Sequence, residues 1–212
     1  MPMPGLPALR RALHPLDVPP RGPGWNLPEL EGLLPGDAGQ TEAAVLVGLL
    51  PRGAELQVLL TRRTEVLRHH AGQVSFPGGR VETSDHGPLA AALREAHEEI
   101  GLPSAQVEPL GWLDPLATIT GYRVLPVVAR ISPAFQPVPD PGEVAEVFEV
   151  PLSFLLAPSN LSRIDIEFGG RVRHVLEFKR HGDPDDETLA ARRIWGVTAS
   201  ILANLRDRLE DA

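Results

Sequence analysis

The 212-residue chain contains no cysteine. A disulfide framework, a thiolate zinc site, an iron–sulfur cluster and a thiol nucleophile are all excluded by that absence. Lysine is almost missing too: Lys179 is the only one, so nineteen of the 20 basic residues are arginine. Arginine suits bidentate contact with phosphate, but here it is spread along the whole chain, as a codon bias would also leave it. Aromatic residues make up only 5%. No run approaches the roughly 18 consecutive apolar residues of a membrane span. Residues 1–20 lack the apolar core, about 7–15 residues long, of a secretory signal. The expectation is a cytoplasmic protein with no membrane partner. Positive charge is in deficit as well, 20 basic against 28 acidic residues for a formal balance of −8. That argues against holding nucleic acid by phosphate neutralisation, while a small phosphorylated ligand needs only a local patch.

Apolar residues account for 42% of the chain, and at about 150 residues per domain the length suits one domain with extensions. Of the 23 prolines, nine fall in the first forty residues. Residues 1–40 therefore read as an irregular arm with one short helix, Leu6 to His14, and residues 41–212 as the domain proper. Extended segments are expected at Ala43 to Leu50, Glu55 to Thr61 and Gln73 to Phe76, with Pro77-Gly78-Gly79 as a stop and turn. Further strands are expected at Val107 to Leu113, Arg123 to Ile131 and Val144 to Val150. A hairpin over Ile164 to Phe178 would turn at Gly169-Gly170. Pro88 to Ile100 is the clearest helix, with proline in its first turn and Gly101 as its cap. A short helix is expected at Leu152 to Leu156, and a final one from about Asp186 to Leu209, with an apolar stripe through Ile194, Val197, Ile201, Leu205 and Leu209. The mixture predicts an α+β fold, an α/β/α sandwich with a central mixed sheet packed between helices.

Arg94-Glu95-Ala96-His97-Glu98-Glu99-Ile100-Gly101-Leu102 carries the chemistry. At about 100° per residue, with Glu95 at zero, Glu98 lies near −60° and Glu99 near +40°. The three carboxylates share one face, while Leu89, Leu93, Ala96 and Ile100 gather on a second face that must meet the core. Like charges at these spacings repel, and they sit in the last turns, where the helix dipole disfavours negative charge. A divalent cation reverses the sign of each of these terms. Oxygen-only ligands point to Mg²⁺ or Mn²⁺. A solvated acidic face would show the same spacing, so the neighbouring residues decide the weighting. Upstream, Phe76-Pro77-Gly78-Gly79-Arg80-Val81-Glu82 places a glycine-rich turn before the carboxylate helix, where backbone N–H groups and a metal can converge on phosphate.

Gly79 through Leu102 resembles the signature box of the Nudix hydrolases: a glycine, an acidic residue after five others, then R-E-x-x-E-E-x-G-hydrophobic. Arg94 to Leu102 match completely. Gly79 stands one residue farther from Arg94 than is usual, and Asp85 occupies the place of the first acid. Leu59-Leu60-Thr61-Arg62-Arg63, Arg68, Gly72 and Phe76-Pro77-Gly78-Gly79 are similar to the pattern of the coenzyme A pyrophosphatase branch, with Thr64 as the one departure. Glu143 to Leu156 and Ile194 to Thr198 also look like later segments of that branch.

The resemblance implies a Nudix-like sheet and divalent-metal-dependent hydrolysis of the pyrophosphate of coenzyme A or its derivatives. Substrates within the same class would be ADP-ribose, NADH or dinucleoside polyphosphates, and a non-catalytic nucleotide-binding module is the remaining alternative. Glu95, Glu98 and Glu99 would hold the metal, and Arg94 would brace a glutamate through a bidentate pair. The general base would be a box glutamate or a loop carboxylate, Glu143 or Glu146. Arg62, Arg68, Phe76, Gly78 and Gly79 are the expected substrate-binding residues. Strand alternation puts Arg62 and Arg63 on opposite faces, so one of them at most should reach the ligand. His69, His70, His86 and His97 are expected at the surface or as supports behind the ligating groups, and Trp112 and Trp195 in the core. The partner is a small nucleotide-class molecule, and the chain is expected to be a monomer or homodimer.

Overall fold

The computed structural model describes residues 4–30, 40–66, 70–168, 171–182, 186 and 189–212. Among these, no helix is long and apolar enough to cross a membrane. The hairpin tip and Arg68 lie outside the described residues.

Alternating side chains build two cores from one strand. In β1 (Thr41–Arg52), Ala43, Val47 and Leu49 point to one face of the sheet and Ala44, Leu46 and Leu50 to the other, and each set joins its own apolar cluster. A strand apolar on both faces must be central. β1 pairs antiparallel with β2 (Glu55–Arg63) and parallel with β7 (Tyr122–Ile131). The sheet extends through β2 to β3 (Val74–Ser75) and β8 (Val144–Pro151), and through β7 to β5 (Val107–Trp112) and β6 (Leu116–Ala117). Helix α2 (Pro88–Ile100) covers one face. The other face is covered by α1 (Leu6–Ala12), α3 (Leu152–Leu156) and α4 (Gly196–Glu210). The result is the expected mixed sheet between helices. A separate ribbon, β9 (Leu161–Phe168) with β10 (Arg171–Phe178), lies before α4.

Helix α2 begins and ends where its sequence says it should. Gly101 adopts φ 68°, its N–H donates to the His97 carbonyl and the Leu102 N–H to the Ala96 carbonyl, closing the helix as a left-handed glycine cap does. Two expectations need correction. Gly78 and Gly79 do not form the expected turn after Pro77 but belong to a strand, Gly78–Arg80 (β4), that pairs with β1. Glycine reads as a breaker, but here it permits close approach: a Cβ on Gly78 would sit 2.4 Å from the Ala44 carbonyl oxygen. The final helix starts at Gly196 rather than near Asp186. Before it, Trp195 is extended and bridges Glu177, and Phe178 N–H donates to the Ile194 carbonyl, so the chain there runs along β10. Ile194 is buried as expected, but in that extended segment, and Val197 is exposed.

The arm packs into the domain. Leu9 is fully buried, and Leu13 joins the same cluster as Ile201 and Leu205. His14 Nε2 and Arg208 both bond Asp114, and Arg208 Nε donates to the Ala12 carbonyl, so arm and α4 are tied. Leu9→Ala is expected to cost about 2–5 kcal/mol in urea denaturation, as a large-to-small change at a packed site does. A loss below about 0.5 kcal/mol, the range of surface substitutions, would show that the helix contributes nothing to the core.

Candidate active site

Helix α2 is anchored through Ala91, Ala92, Ala96 and Ile100, all fully buried. Small alanines bring the helix axis close to the sheet. That contact face lies nearer to the carboxylates than the wheel of leucines implied: Leu89 and Leu93 are half-buried, whereas Glu99 is 3% exposed. The carboxylate row therefore does not face solvent as a unit. Glu98 is on the outside, Glu95 is half-buried, and Glu99 turns inward against β4 and β2. Room for this comes from glycine. A Cβ on Gly79 would lie 2.3 Å from Glu95 Oε1, and Gly78 N–H donates to Glu99 Oε2 at 3.3 Å. Arg63 Nη1 donates to Glu99 Oε1, also at 3.3 Å.

These surroundings shift the carboxyls. Burial pushes the Glu99 pKa up to about 7, against the opposing pull of Arg63 and the Gly78 N–H, and the charges of Glu95 and Glu143 push it further. Glu95 is also raised, first by burial, with Arg94 opposing and Glu98 and Glu143 adding. Glu143 is carried to this place by the turn after Pro139. Asp140 N–H donates to the Glu99 carbonyl at 2.9 Å, and Glu143 N–H donates to the Asp140 carbonyl at 3.1 Å. The loop is thus sewn onto the last turn of α2. Glu146 is not in the site: it pairs with Arg62 at 3.4 Å and with Arg192.

Arg94 braces carboxylates, as expected, but its bidentate partner is Asp85. Its Nε and Nη2 donate to the two Asp85 oxygens at 3.0 and 3.1 Å, and Nη1 reaches Glu95 and Glu98 at 3.0 Å each. Asp85, the acid standing in the first half of the box, is held below the usual carboxylate range by Arg94 and by the Glu82 N–H. Its geometry makes it an anchor for Arg94. Asp85→Ala is expected to lower activity or metal affinity about 10- to 100-fold, as loss of an outer support does. A Mg²⁺ titration of activity would measure it, and an unchanged curve would remove the anchoring role.

Among the described residues, no three His, Asp or Glu side chains converge in a ligating arrangement. The Arg94 guanidinium stands between Glu95 and Glu98 instead. The donor set nevertheless fits a hard divalent cation. Every donor is a carboxylate oxygen, and neighbouring negative charge raises the proton affinity of two of them, Glu98 and Glu143 acting on Glu95, and Glu95 and Glu143 on Glu99. A cation relieves that repulsion.

A cavity of about 530 Å³ opens beside this cluster, reaching Arg63, Phe76 and Gly78. Phe76 and Gly78 were expected here. Arg62 was expected and is absent: strand β2 directs it to Glu146 and Glu65, while Arg63 enters the site. Alternation sends the two arginines to different carboxylates, Arg62 to Glu146 and Arg63 to Glu99, and choosing between them requires knowing on which side of β2 the carboxylate helix lies. Trp195 lines the cavity, its ring under the Arg193 guanidinium at 4.6 Å, rather than joining the core. Trp112 is core, 1% exposed, with its indole N–H donating to the Leu16 carbonyl. Asn26, from the arm, also lines the cavity. No local pattern marks it.

An arginine-braced row of glutamates on a helix, beside a glycine strand paired to a mixed sheet, is a donor set that suits a divalent cation and phosphate chemistry. The chain belongs to the Nudix family: residues 41–168 match the NUDIX domain. It is 41% identical over 165 residues to an uncharacterized Nudix hydrolase NudL of Enterobacter sp. (strain 638), covering 77% of this chain and 80% of that one. A protein of the same name from Citrobacter koseri is 42% identical over 167 residues, with the same coverage. The structure is also similar, at a TM-score of 0.46 and 30% identity, to a Nudix hydrolase from M. Smegmatis, RenU, over 55% of this chain and 73% of that one. The protein is a hydrolase acting on phosphoric anhydrides, a Nudix pyrophosphatase, in a family that uses divalent metal ions on small nucleotide-derived substrates.

Proposed function

We propose that the protein hydrolyses the pyrophosphate bond of coenzyme A or its derivatives, releasing 3′,5′-ADP and 4′-phosphopantetheine or its acylated form. One observation carries this reading. Arg63, Gly78 and Gly79, from the segment that resembles the coenzyme A branch, adjoin Glu95 and Glu99 of the box, and Arg63, Gly78 and Phe76 of the same segment line one cavity.

In this reading Glu95, Glu98 and Glu99 hold Mg²⁺ or Mn²⁺, which when bound polarises phosphoryl oxygens and lowers the pKa of water. The remaining work falls to the chain. Arg94, locked on Asp85, keeps Glu95 and Glu98 in register. Gly79 leaves the space into which Glu95 reaches. Water adds its oxygen to one phosphorus, the bridging P–O bond breaks, and the departing phosphate keeps the bridging oxygen. The water proton needs a carboxylate; Glu143 is the loop candidate close enough for its charge to act on Glu95 and Glu99. Arg68 is the proposed partner of the 3′-phosphate.

Chromatographic product analysis with Mg²⁺ tests the reading on coenzyme A, ADP-ribose, NADH and a dinucleoside polyphosphate side by side. A preference for coenzyme A, with the two products named above, supports it. Equal turnover of all four overturns it, and binding without hydrolysis would point to a nucleotide-binding module. Arg68→Ala is expected to raise KM for coenzyme A on the order of tenfold with a smaller change in kcat, as loss of a ground-state contact does. Unchanged kinetics would remove Arg68 from the site.

A further inference from the structure

A second cavity, of about 460 Å³, lies apart from the carboxylates: none of Arg94, Glu95, Glu98 and Glu99 lines it. Most of its wall comes from segments outside residues 41–168, with Trp25 of the arm on one side and Leu176 of β10, Ala203 and Arg206 of α4 on the other. Ala203, Arg206 and Asp207 stand at i, i+3 and i+4, so α4 turns a single side to it. The position of Trp25 is fixed. Its backbone N–H donates to the Pro115 carbonyl at 2.7 Å, and the next side chain, Asn26, makes two bonds of 2.9 Å with the backbone of Ala117. Asn26 and Leu176 line both this cavity and the one beside the carboxylates, and so form a wall common to the two.

The hydrogen-bonding capacity left over in this cavity is donor capacity. The exposed Arg163 guanidinium has no partner among the described residues. Arg206 spends Nε and Nη2 on Asp207, at 3.2 and 2.9 Å, and its Nη1 has no partner among them. The Trp25 indole N–H has none either. Ser162 already donates its hydroxyl to the Glu177 carbonyl, and the Asn26 amide is taken up by Ala117. Two arginines against the one carboxylate of Asp207 leave the lining at +1. Unclaimed donors around net positive charge suit a phosphate. The volume is many times the roughly 30 Å³ of one water, so a bare phosphate would leave most of it empty. What remains is the Trp25 ring with Leu161, Leu176 and Ala203, a surface for a flat, weakly polar group.

We infer that this cavity is a second binding site, separate from the active site, for a nucleoside monophosphate, with the phosphate between Arg163 and Arg206 and the base against Trp25. Hydrolysis of a nucleoside diphosphate linked to another group leaves a phosphomonoester on each side of the broken bond, and one of the two carries the nucleoside. The site therefore takes the class of molecule that the enzyme releases, whichever group the substrate carries beyond the pyrophosphate. Through Asn26 and Leu176, a ligand here bears on the wall of the active-site cavity, which makes it a product-sensing site.

The test uses the full chain. Equilibrium dialysis measures binding of AMP, adenosine and inorganic phosphate to wild type, Arg163→Glu and Arg206→Gln, and AMP is added to the Mg²⁺-dependent hydrolysis assay. Wild type should bind AMP at least about fivefold more tightly than inorganic phosphate, because stacking of the base adds to the phosphate contact, and more tightly than adenosine. Arg163→Glu takes the lining from +1 to −1 and should weaken AMP at least tenfold, with kcat and KM in the absence of AMP as in wild type. Arg206→Gln, which also leaves Asp207 unneutralised, should do the same and carries the test if the first variant fails to fold. AMP should inhibit wild type in a manner that added substrate does not relieve, and that component should be missing from both variants. Equal AMP affinity in all three proteins overturns the site. A raised KM in Arg163→Glu without AMP overturns it too, by showing that the cavity holds part of the substrate. Inorganic phosphate bound as tightly as AMP overturns the assignment of the base to Trp25.

Discussion

Glu99→Gln is expected to lower hydrolysis on the order of a thousandfold or more, through loss of a charged metal ligand, while making the metal-free protein more stable at pH 8. The two effects share one cause. Glu99 is 3% exposed, and burial raises its carboxyl from the ordinary 4.5 to about 7. The folded state therefore holds this proton over a pH range in which the unfolded chain has released it. A raised carboxyl pKa makes stability fall as pH rises from about 4.5 to about 7, and the penalty is complete above that. Its size is on the order of 3 kcal/mol, from about 1.4 kcal/mol per pKa unit. Glutamine keeps the shape and the bond from the Gly78 N–H but carries no charge, so this part of the slope should vanish. Urea denaturation in EDTA at pH 5 and pH 8 would read it as a difference between variant and wild type. Parallel behaviour of the two proteins, or retained turnover in the variant, would refute the assignment of Glu99. Added Mg²⁺ should stabilise wild type in proportion to its occupancy, and the variant much less.

Gly79→Ala should separate function from fold, with Gly78→Ala as its counterpart two atoms of backbone away. A Cβ on Gly79 would meet the Glu95 carboxylate at 2.3 Å and its Cδ at 2.5 Å. The obstructed group is the end of a side chain with free torsions, so the helix stays and the carboxylate swings aside. Activity should fall about 100-fold or more, since small misplacement of a catalytic group is costly, with a melting temperature within a few degrees of wild type. A Cβ on Gly78 would instead meet backbone, the Ala44 oxygen at 2.4 Å and the Val45 Cα at 2.6 Å, at φ +154°. Neither can yield without breaking the β1–β4 pairing. Gly78→Ala should therefore lose stability, by about 2 kcal/mol or more, along with activity. If Gly79→Ala keeps wild-type kinetics, Glu95 does not need the space that glycine leaves it.

Much of this molecule could be read directly from its residues. Pro88 and Gly101 bound α2 at the expected positions, because proline in the first turn and a left-handed glycine after the last are local chemistry. The alternating apolar residues of β1 mark a strand buried on both faces, and the spacing of Glu95, Glu98 and Glu99 puts them on one side of a helix. Those properties depend on the period of a single element.

What tertiary structure decided was direction. A wheel relates residues of one helix to each other and does not say which face meets the sheet. Alanines at 91, 92 and 96 let α2 approach closely, and the missing side chains of Gly78 and Gly79 leave space that Glu99 and Glu95 fill. A row of carboxylates read as lying apart from the apolar face became a half-buried cluster for that reason. The same dependence on distant partners placed Arg63 rather than Arg62 at the site, tied Arg94 to Asp85, and drew Trp195 out of the expected final helix to pair with Glu177. Sequence by itself determined the chemistry available, carboxylates and arginine without a thiol. Packing between segments far apart in the chain determined which of those groups lose their water, and so which of them can act.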